Sequence, residues 1–384
     1  MFDYIVVGSG FAGAIIAERL ASQLDKKILI LEKRSHIGGN CYDSMDENSI
    51  LIHKYGPHLF HTDNKKVFDY LSQFTDWHEY QHKVLAFIDN QKIPIPFNFN
   101  SIDKVFPKIT AQRIEKKLLN KFGKDAKIPI LILREENDED LKKLADYVYE
   151  KVFLNYSAKQ WGVKPEEIDP AVTARVPVLI GRDNRYFNDQ YQAVPVYGYT
   201  AIFKKMLHHP NIEVMLNTDF REIMQIGDVN SILFEGEKFT GTLIFTGMID
   251  ELFNYKFGAL PYRSLDMKFE TLPQKIFQET ATINYPNDFD FTRITEFKHI
   301  HPSAEAEKTT ILKEYPKDCV IDKDIPYYPV FNDKNKEKYM LYKKLAEGFN
   351  NLIMLGRLAE YKYYDMDDII ERSLKIFEEI ENGK

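Results

Sequence analysis

The stretch YIVVGSGFAGAIIAERLASQLDKKILILEK, Tyr4 to Lys33, decides the fold. Tyr4–Val7 is a short apolar run rich in β-branched residues and reads as a buried strand. Gly8, Gly10 and Gly13 follow in G-x-G-x-x-G spacing, and Ala14 to Leu24 carries Ile15, Ile16, Leu20 and Leu24 on or near one helical face. Ile28–Leu31 reads as a second strand with Glu32 at its end. The first glycine of such a turn permits the sharp reversal, the second lets backbone approach a pyrophosphate, and the third lets helix and strand pack closely. The helix N-terminus adds unpaired N–H groups and a positive dipole end. Glu32, nineteen residues beyond Gly13, is placed to accept ribose hydroxyls and to repel a 2′-phosphate. Strand, turn, helix, strand and acid together predict a dinucleotide-binding α/β unit rather than an ordinary glycine-rich turn. Gly8, Gly10, Phe11, Ala12, Gly13 and Glu32 are its candidate contacts.

Composition removes other classes. The chain has 384 residues with 51 Lys plus Arg against 58 Asp plus Glu, so its formal charge is −7. That balance gives no long-range attraction to a phosphate backbone, and no nucleic-acid partner is expected. Two cysteines cannot build a disulfide framework, which suits a reducing cytoplasm. The longest apolar runs are strand-sized, well short of the roughly 18 residues of a spanning helix. The start, MFDYIVVGSG, has Asp3 where an export signal carries a cation. The expectation is a soluble cytoplasmic protein with no membrane partner. At 14% the aromatic content, 27 Phe and 23 Tyr with 2 Trp, is high enough to suggest either stacking against a ligand or a bulky core.

Further along, Thr62 is a candidate cap for a helix carrying Val67, Tyr70, Leu71 and Phe74. Residues 100–160 read as mainly helical, with Asn137 and the acids 138–140 opening one helix and the run REENDED (134–140) forming its solvated start. Thr200 is a candidate cap for a helix with Phe203, Met206 and Leu207, followed by a strand at 212–216. Alternation at 230–246 and the β-formers of 262–320 predict strands, 352–355 another, and Ile369 to Ile380 a terminal amphipathic helix.

After Glu32 the chain continues Lys33-Arg34-x-x-x-Gly38-Gly39-Asn40, and the late segment NLIMLGRLAEY ends a strand in Gly356-Arg357. Both features resemble flavoproteins of the amine-oxidase and glutathione-reductase type, which favours FAD over NAD. The resemblance adds Lys33, Gly39, Asn40, Gly356 and Arg357 to the cofactor contacts.

Further segments are more specific. GPHLFHT (56–62), NYSAKQWG (155–162), RVPVLIGRDNRYFNDQYQAVPVYGYT (175–200), FTRITEFKHIHP (291–302), YYPV (327–330) and GRLAEYKYYDMD (356–367) resemble the UDP-galactopyranose mutase family nearly end to end. The resemblance implies a flavin-dependent isomerase that interconverts UDP-galactopyranose and UDP-galactofuranose, or also the N-acetyl sugar. There N5 of reduced FAD attacks the anomeric carbon, with no net redox change and with electrons from NAD(P)H. It implies Arg175, Arg293 and His61 as catalytic residues. It implies Tyr156, Trp161, Tyr186, Tyr328, Tyr363 and Asp365 as substrate contacts, and His58 against the flavin. The arginines suit a reaction whose leaving group is a diphosphate, since negative charge grows there in the transition state. A homodimer is the family expectation. Leu179 departs from the family, which often carries an arginine there.

The implied fold is α/β: a discontinuous, doubly wound, Rossmann-like FAD-binding domain with an inserted helical bundle and an antiparallel β-sheet domain. Its boundaries are 1–75, 198–248 and 335–384 for the FAD domain and 100–160 for the bundle. The β-sheet domain on the substrate side takes 76–99, 161–197 and 249–334, with a mobile lid near 162–178. A flavin oxidase, an NAD-dependent sugar-nucleotide enzyme and a non-catalytic binding protein are the rival readings. The spacings His58-x-x-His61 and His78-x-x-x-His82 lack a third ligand, so no metal is expected, and His78 and His82 read as ordinary helix or strand-edge residues.

Overall fold

A computed structural model of the protein describes residues 2–162, 177–227, 231–301 and 306–383, the side chain of Trp161 excepted. Arg175 and most of the proposed lid lie outside the described residues.

The first unit is a five-stranded parallel sheet of Ile212–Met215, Ile28–Leu31, Tyr4–Val7, Thr242–Phe245 and Leu352–Met354, in that spatial order. Its strands come from three separated stretches of chain. Successive residues alternate between two cores, which is why short continuous apolar runs were needed. Val6, Ile28, Ile30 and Ile244 face the helices Phe11–Leu24, Tyr199–Met206 and Met366–Glu381. Ile5, Val7, Leu29, Leu31 and Phe245 face Phe220, Met224 and Ile232 beneath a small antiparallel sheet at 224–238. Helices therefore cover one face, and mainly β-structure covers the other.

A seven-stranded sheet forms the second layer. Its order is Tyr328–Pro329, Tyr262–Leu272, Thr309–Asp318, Arg293–Glu296, Thr282–Asn284, Val84–Ile88, Gln91–Ile95. It is mixed rather than wholly antiparallel, because Thr282–Asn284 runs parallel to Val84–Ala86. Those two strands lie far apart in sequence and the chain between them is long, so a parallel alignment is open to them. The helices of 99–161 pack on the hairpin 84–95 through Ile93, Phe97, Ile114, Leu118, Leu144 and Val148. One short strand, Lys127–Pro129, interrupts the helical region and pairs with Pro177–Leu179.

Several caps differ from those read in the sequence. The helix Lys65–Leu71 is capped by Asn64, whose side chain accepts from the Lys66 N–H, while Thr62 belongs to the strand Phe60–Thr62. Asp138, not Asn137, caps Glu139–Tyr147. Within the charged run, Asp140 is not solvated. It is buried and accepts from both Arg113 and Lys117 at 2.7–2.9 Å, tying two helices together. Thr200 lies inside the helix Tyr199–Met206, and a residue from elsewhere in the chain does the capping: the Asp43 carboxylate accepts from the Tyr199 and Thr200 N–H groups. No helix among the described residues is long and apolar enough to cross a membrane.

Candidate functional site

The glycine turn opens the first half of the site. A Cβ on Gly13 would lie 2.0 Å from the Gly8 carbonyl oxygen, so the helix can approach the strand only with glycine there. Gly39, at φ +54°, brings its backbone against Gly10, where a Cβ would be 2.9 Å from the Gly10 Cα. The helix Phe11–Leu24 has neither a side-chain cap nor an acid in its first turn, so its leading N–H groups face the cleft with no internal acceptor. Glu32 is buried. Its Oε2 accepts from the Ser9 N–H and hydroxyl at 3.0 and 2.7 Å, and its Oε1 from the Arg34 N–H at 2.9 Å. These three donors fix the carboxylate at the C-terminal end of the strand Ile28–Leu31, with lone pairs left over.

A cavity of about 250 Å³ lies at this end. Gly8, Gly10, Phe11, Ala12, Glu32, Lys33, Gly39, Asn40, His58, Gly356 and Arg357 line it, with Gly13 behind the turn. Arg34, also in its wall, is a contact the sequence reading passed over. It donates to Asn40 Oδ1 at 2.9 Å and lies 4.3 Å over the Tyr55 ring, while its Nη1 is buried without a hydrogen-bond partner. An orphaned guanidinium N–H, an uncapped helix and a glycine cradle fit the phosphates of a dinucleotide.

The second cavity, about 660 Å³, shares Asn40, His58, Tyr327, Arg357, Asp365 and Met366 with the first, so the two are continuous. His61, Tyr156, Tyr186, Arg293, Tyr328 and Tyr363 line it. Among the described residues, Lys127, Arg293 and Arg357 face it against one carboxylate, Asp365, so this part of the wall is cationic in a chain of net negative charge.

Arg293 stands on the seven-stranded sheet opposite Glu314, and its Nε donates to Glu314 Oε1 at 2.6 Å. Burial works against the Arg293 charge, but the Glu314 carboxylate, aided by Tyr156 and Tyr328, outweighs it and raises the pKa. Burial also raises the Tyr156 pKa, so its hydroxyl keeps its proton and is a donor. Tyr328 and Tyr363 stack 5.9 Å apart, with the Arg357 guanidinium 5.4 and 4.9 Å from their rings. Arg357 donates to the carbonyls of Tyr327 and Tyr364, which fixes it at the junction of the cavities. Asp365 is the N-cap of Met366–Glu381, and its N–H donates to Asp368 Oδ2 at 3.0 Å.

His58 donates from Nδ1 to the Gly56 carbonyl at 2.8 Å, which leaves Nε2 as an acceptor. Burial, with the Arg357 and Arg293 charges, pushes its pKa down to about 4. His61 stacks on Phe187 at 3.6 Å and lies 3.2 Å from Asp189 Oδ2 without hydrogen-bond alignment. His82 is not an edge residue. It is 5% exposed, lines the cavity beside Tyr186, and has its pKa pushed down to about 3 by burial and by Arg293 and His61. No cluster of three His, Cys, Asp or Glu side chains among the described residues could hold a metal ion. The helix Asn155–Trp161 carries Tyr156 into the wall and ends at Trp161. Tyr327 and Phe187 were passed over although they lie in the YYPV and 175–200 segments, whereas His82 and Glu314, outside every such segment, join the site only through tertiary structure.

Residues 151–363 match the family model described as UDP-galactopyranose mutase, and residues 6–74 match an NAD(P)-binding Rossmann-like domain. The UDP-galactopyranose mutase of Mycoplasma pneumoniae is 35% identical over 99% of this chain and 96% of its own. The dTDP-fucopyranose mutase of Escherichia coli is 34% identical over 98% of this chain and 97% of its own. The crystal structure of a reduced UDP-galactopyranose mutase superposes with a TM-score of 0.74 at 15% identity, covering 100% of this chain and 94% of that one. Putrescine oxidase bound to putrescine does so with 0.60 at 10%, covering 99% of each chain. At these identities the structural likenesses concern the fold.

Proposed function

Because the chain belongs to the UDP-galactopyranose mutase family, we propose that it interconverts UDP-galactopyranose and UDP-galactofuranose on a bound FAD, with no net redox change. The observation that carries this reading is the continuity of the dinucleotide cleft with a cationic, tyrosine-walled cavity. FAD, when bound and reduced, supplies at N5 the nucleophile for the anomeric carbon.

The chain's own residues do the rest. The glycine turn, Glu32, Lys33, Arg34, Asn40 and Gly356 hold the dinucleotide. Arg357 and His58 stand where the two cavities meet. Arg293 is a preformed cation for the diphosphate, which gains charge as UDP leaves. Glu314 aims it and keeps it protonated. Tyr156, Tyr186, Tyr328 and Tyr363 donate hydroxyl hydrogen bonds and wall the sugar without adding charge. His61 and Asp365 contact the sugar and Tyr156 the nucleotide, the substrate role to which Trp161 is also assigned by resemblance. Arg175, outside the described residues, is assigned the role of second diphosphate arginine on the family resemblance alone. The domain boundaries, a homodimer, a cytoplasmic location and NAD(P)H as electron source belong to the same proposal.

A second substrate class is dTDP-fucopyranose, since the E. coli relative bears that name at almost the same identity. An N-acetylated sugar is a third. The test is to reduce the flavin with dithionite and supply UDP-galactofuranose, UDP-N-acetylgalactofuranose or dTDP-fucofuranose in turn. Conversion of the first to the pyranose by the reduced protein alone supports the reading. Equal turnover by oxidised protein, or none by reduced holoenzyme, refutes it. Preferential turnover of either other compound reassigns the substrate.

A further inference from the structure

Lys159 lies within NYSAKQWG, the segment that supplies Tyr156, and so far has no part in the site. Its ammonium is spent on one loop: Nζ donates to the backbone carbonyls of Tyr285, Asn287 and Phe289 at 3.2, 2.7 and 2.6 Å. All three ammonium donors are therefore matched by acceptors of one short loop. That loop joins the strand Thr282–Asn284 to Arg293–Glu296, so it leads directly into the diphosphate arginine. Pro286, between two of the gripped carbonyls, lines the cavity, as do Tyr156 and Arg293.

The same helix is tied to the loop elsewhere. Asn155 Nδ2 donates to Asn287 Oδ1 at 2.9 Å, and Asn287 Nδ2 donates to the Lys151 carbonyl at 3.1 Å. At its other end buried Arg263 donates to the carbonyls of Lys159 and Gln160, both at 3.1 Å. A cation there satisfies terminal carbonyls and complements the helix dipole. Tyr156 and Lys159 are three positions apart, on adjoining parts of one helical face. The depth and rotation at which Tyr156 enters the cavity are thus set by what Lys159 holds.

We propose that Lys159 is a positioning residue, which clamps the Tyr156-bearing helix to the 285–289 loop and so fixes Tyr156 and Pro286 relative to Arg293 for nucleotide binding. The inference rests on the reading of this cavity as a UDP-sugar site. In Lys159→Ala holoenzyme the Kd of UDP and the KM of UDP-galactofuranose rise about tenfold, the size of lost charge-assisted hydrogen bonds, while kcat and the flavin spectrum stay near wild type. Propylammonium, which replaces the missing side-chain atoms, restores the KM. In a Tyr156→Phe background the same substitution costs less, since its effect passes through Tyr156. Wild-type UDP affinity in Lys159→Ala overturns the proposal. So does loss of flavin or of folding in both Lys159→Ala and Lys159→Met, which assigns the residue to stability alone. If the wild-type protein itself binds no UDP, the site reading fails first and takes this inference with it.

Discussion

Arg293 and Glu314 divide two tasks that a single alanine substitution would mix. The Glu314 side chain is 1% exposed, so removing Arg293 strands a buried carboxylate as well as deleting the cation proposed for the diphosphate. Arg293→Ala is expected to lower kcat/KM by about 2–4 kcal/mol of transition-state stabilisation. It should also destabilise the fold by about 3 kcal/mol. Adding Glu314→Ala should recover part of the stability and none of the UDP binding. Calorimetric unfolding and UDP titration of the three variants separate the effects, and full recovery of binding in the double variant would exclude Arg293 from the site. The buried histidines give a second residue-scale prediction. His58 and His301 are held near pKa 4 and His82 near 3, below the ordinary 6.5, with burial the main cause in each. The unfolded chain binds protons as pH falls through 6.5 while the folded chain does not. The stability these groups contribute is therefore complete above about pH 6.5 and lost from there down to about pH 4 for His58 and His301 and about pH 3 for His82. Melting temperature should fall across that window, with a smaller slope in His82→Gln; equal slopes would be contrary to this account.

Among elements, those built from adjacent residues were legible and those completed by distant ones were not. Tyr4–Val7, Ile28–Leu31 and the turn between them follow from the local pattern, because a parallel strand buried on both faces must be apolar throughout. The helix Tyr199–Met206 shows the limit. Thr200 looks like its cap, yet Thr200 Oγ1 donates to the Asp43 carbonyl and the Asp43 carboxylate receives the helix N–H groups across 156 positions of chain. A carboxylate arriving through tertiary structure displaced a hydroxyl available in sequence. Asp43→Ala should therefore cost about 1–2 kcal/mol, the scale of a lost helix cap, and Thr200→Val less. The reverse order in thermal unfolding would return the cap to Thr200.

At the scale of the molecule, the two cavities meet at Asn40 and His58 from the N-terminal region and Arg357 from near the C-terminus. Binding in one should therefore depend on occupancy of the other. Stripping the flavin is expected to weaken UDP binding severalfold and to lower the melting temperature, since a ligand bound only by the folded state stabilises it. UDP titrations of holo- and apoprotein measure the coupling, and identical affinities would mean independent pockets. The net charge of −7 belongs to this scale too. It opposes polyanions at long range, while Lys127, Arg293 and Arg357, against Asp365, concentrate positive charge locally in one wall, as the proposed dianionic substrate requires.

What the sequence by itself determined is the nucleotide-binding unit, the family, and a set of polar residues found in the walls of the two cavities, because short-range patterns and contiguous motifs carry that information. What only the tertiary structure decided is how those residues act together. The pairing of Arg293 with Glu314 depends on the register of two strands, the burial of His82 on a sheet that combines distant segments, and the setting of Tyr156 on a lysine gripping a loop 126 to 130 positions away. A linear pattern records which side chains are present. Which of them share a low-dielectric wall, and so perturb one another, is fixed only when the chain closes.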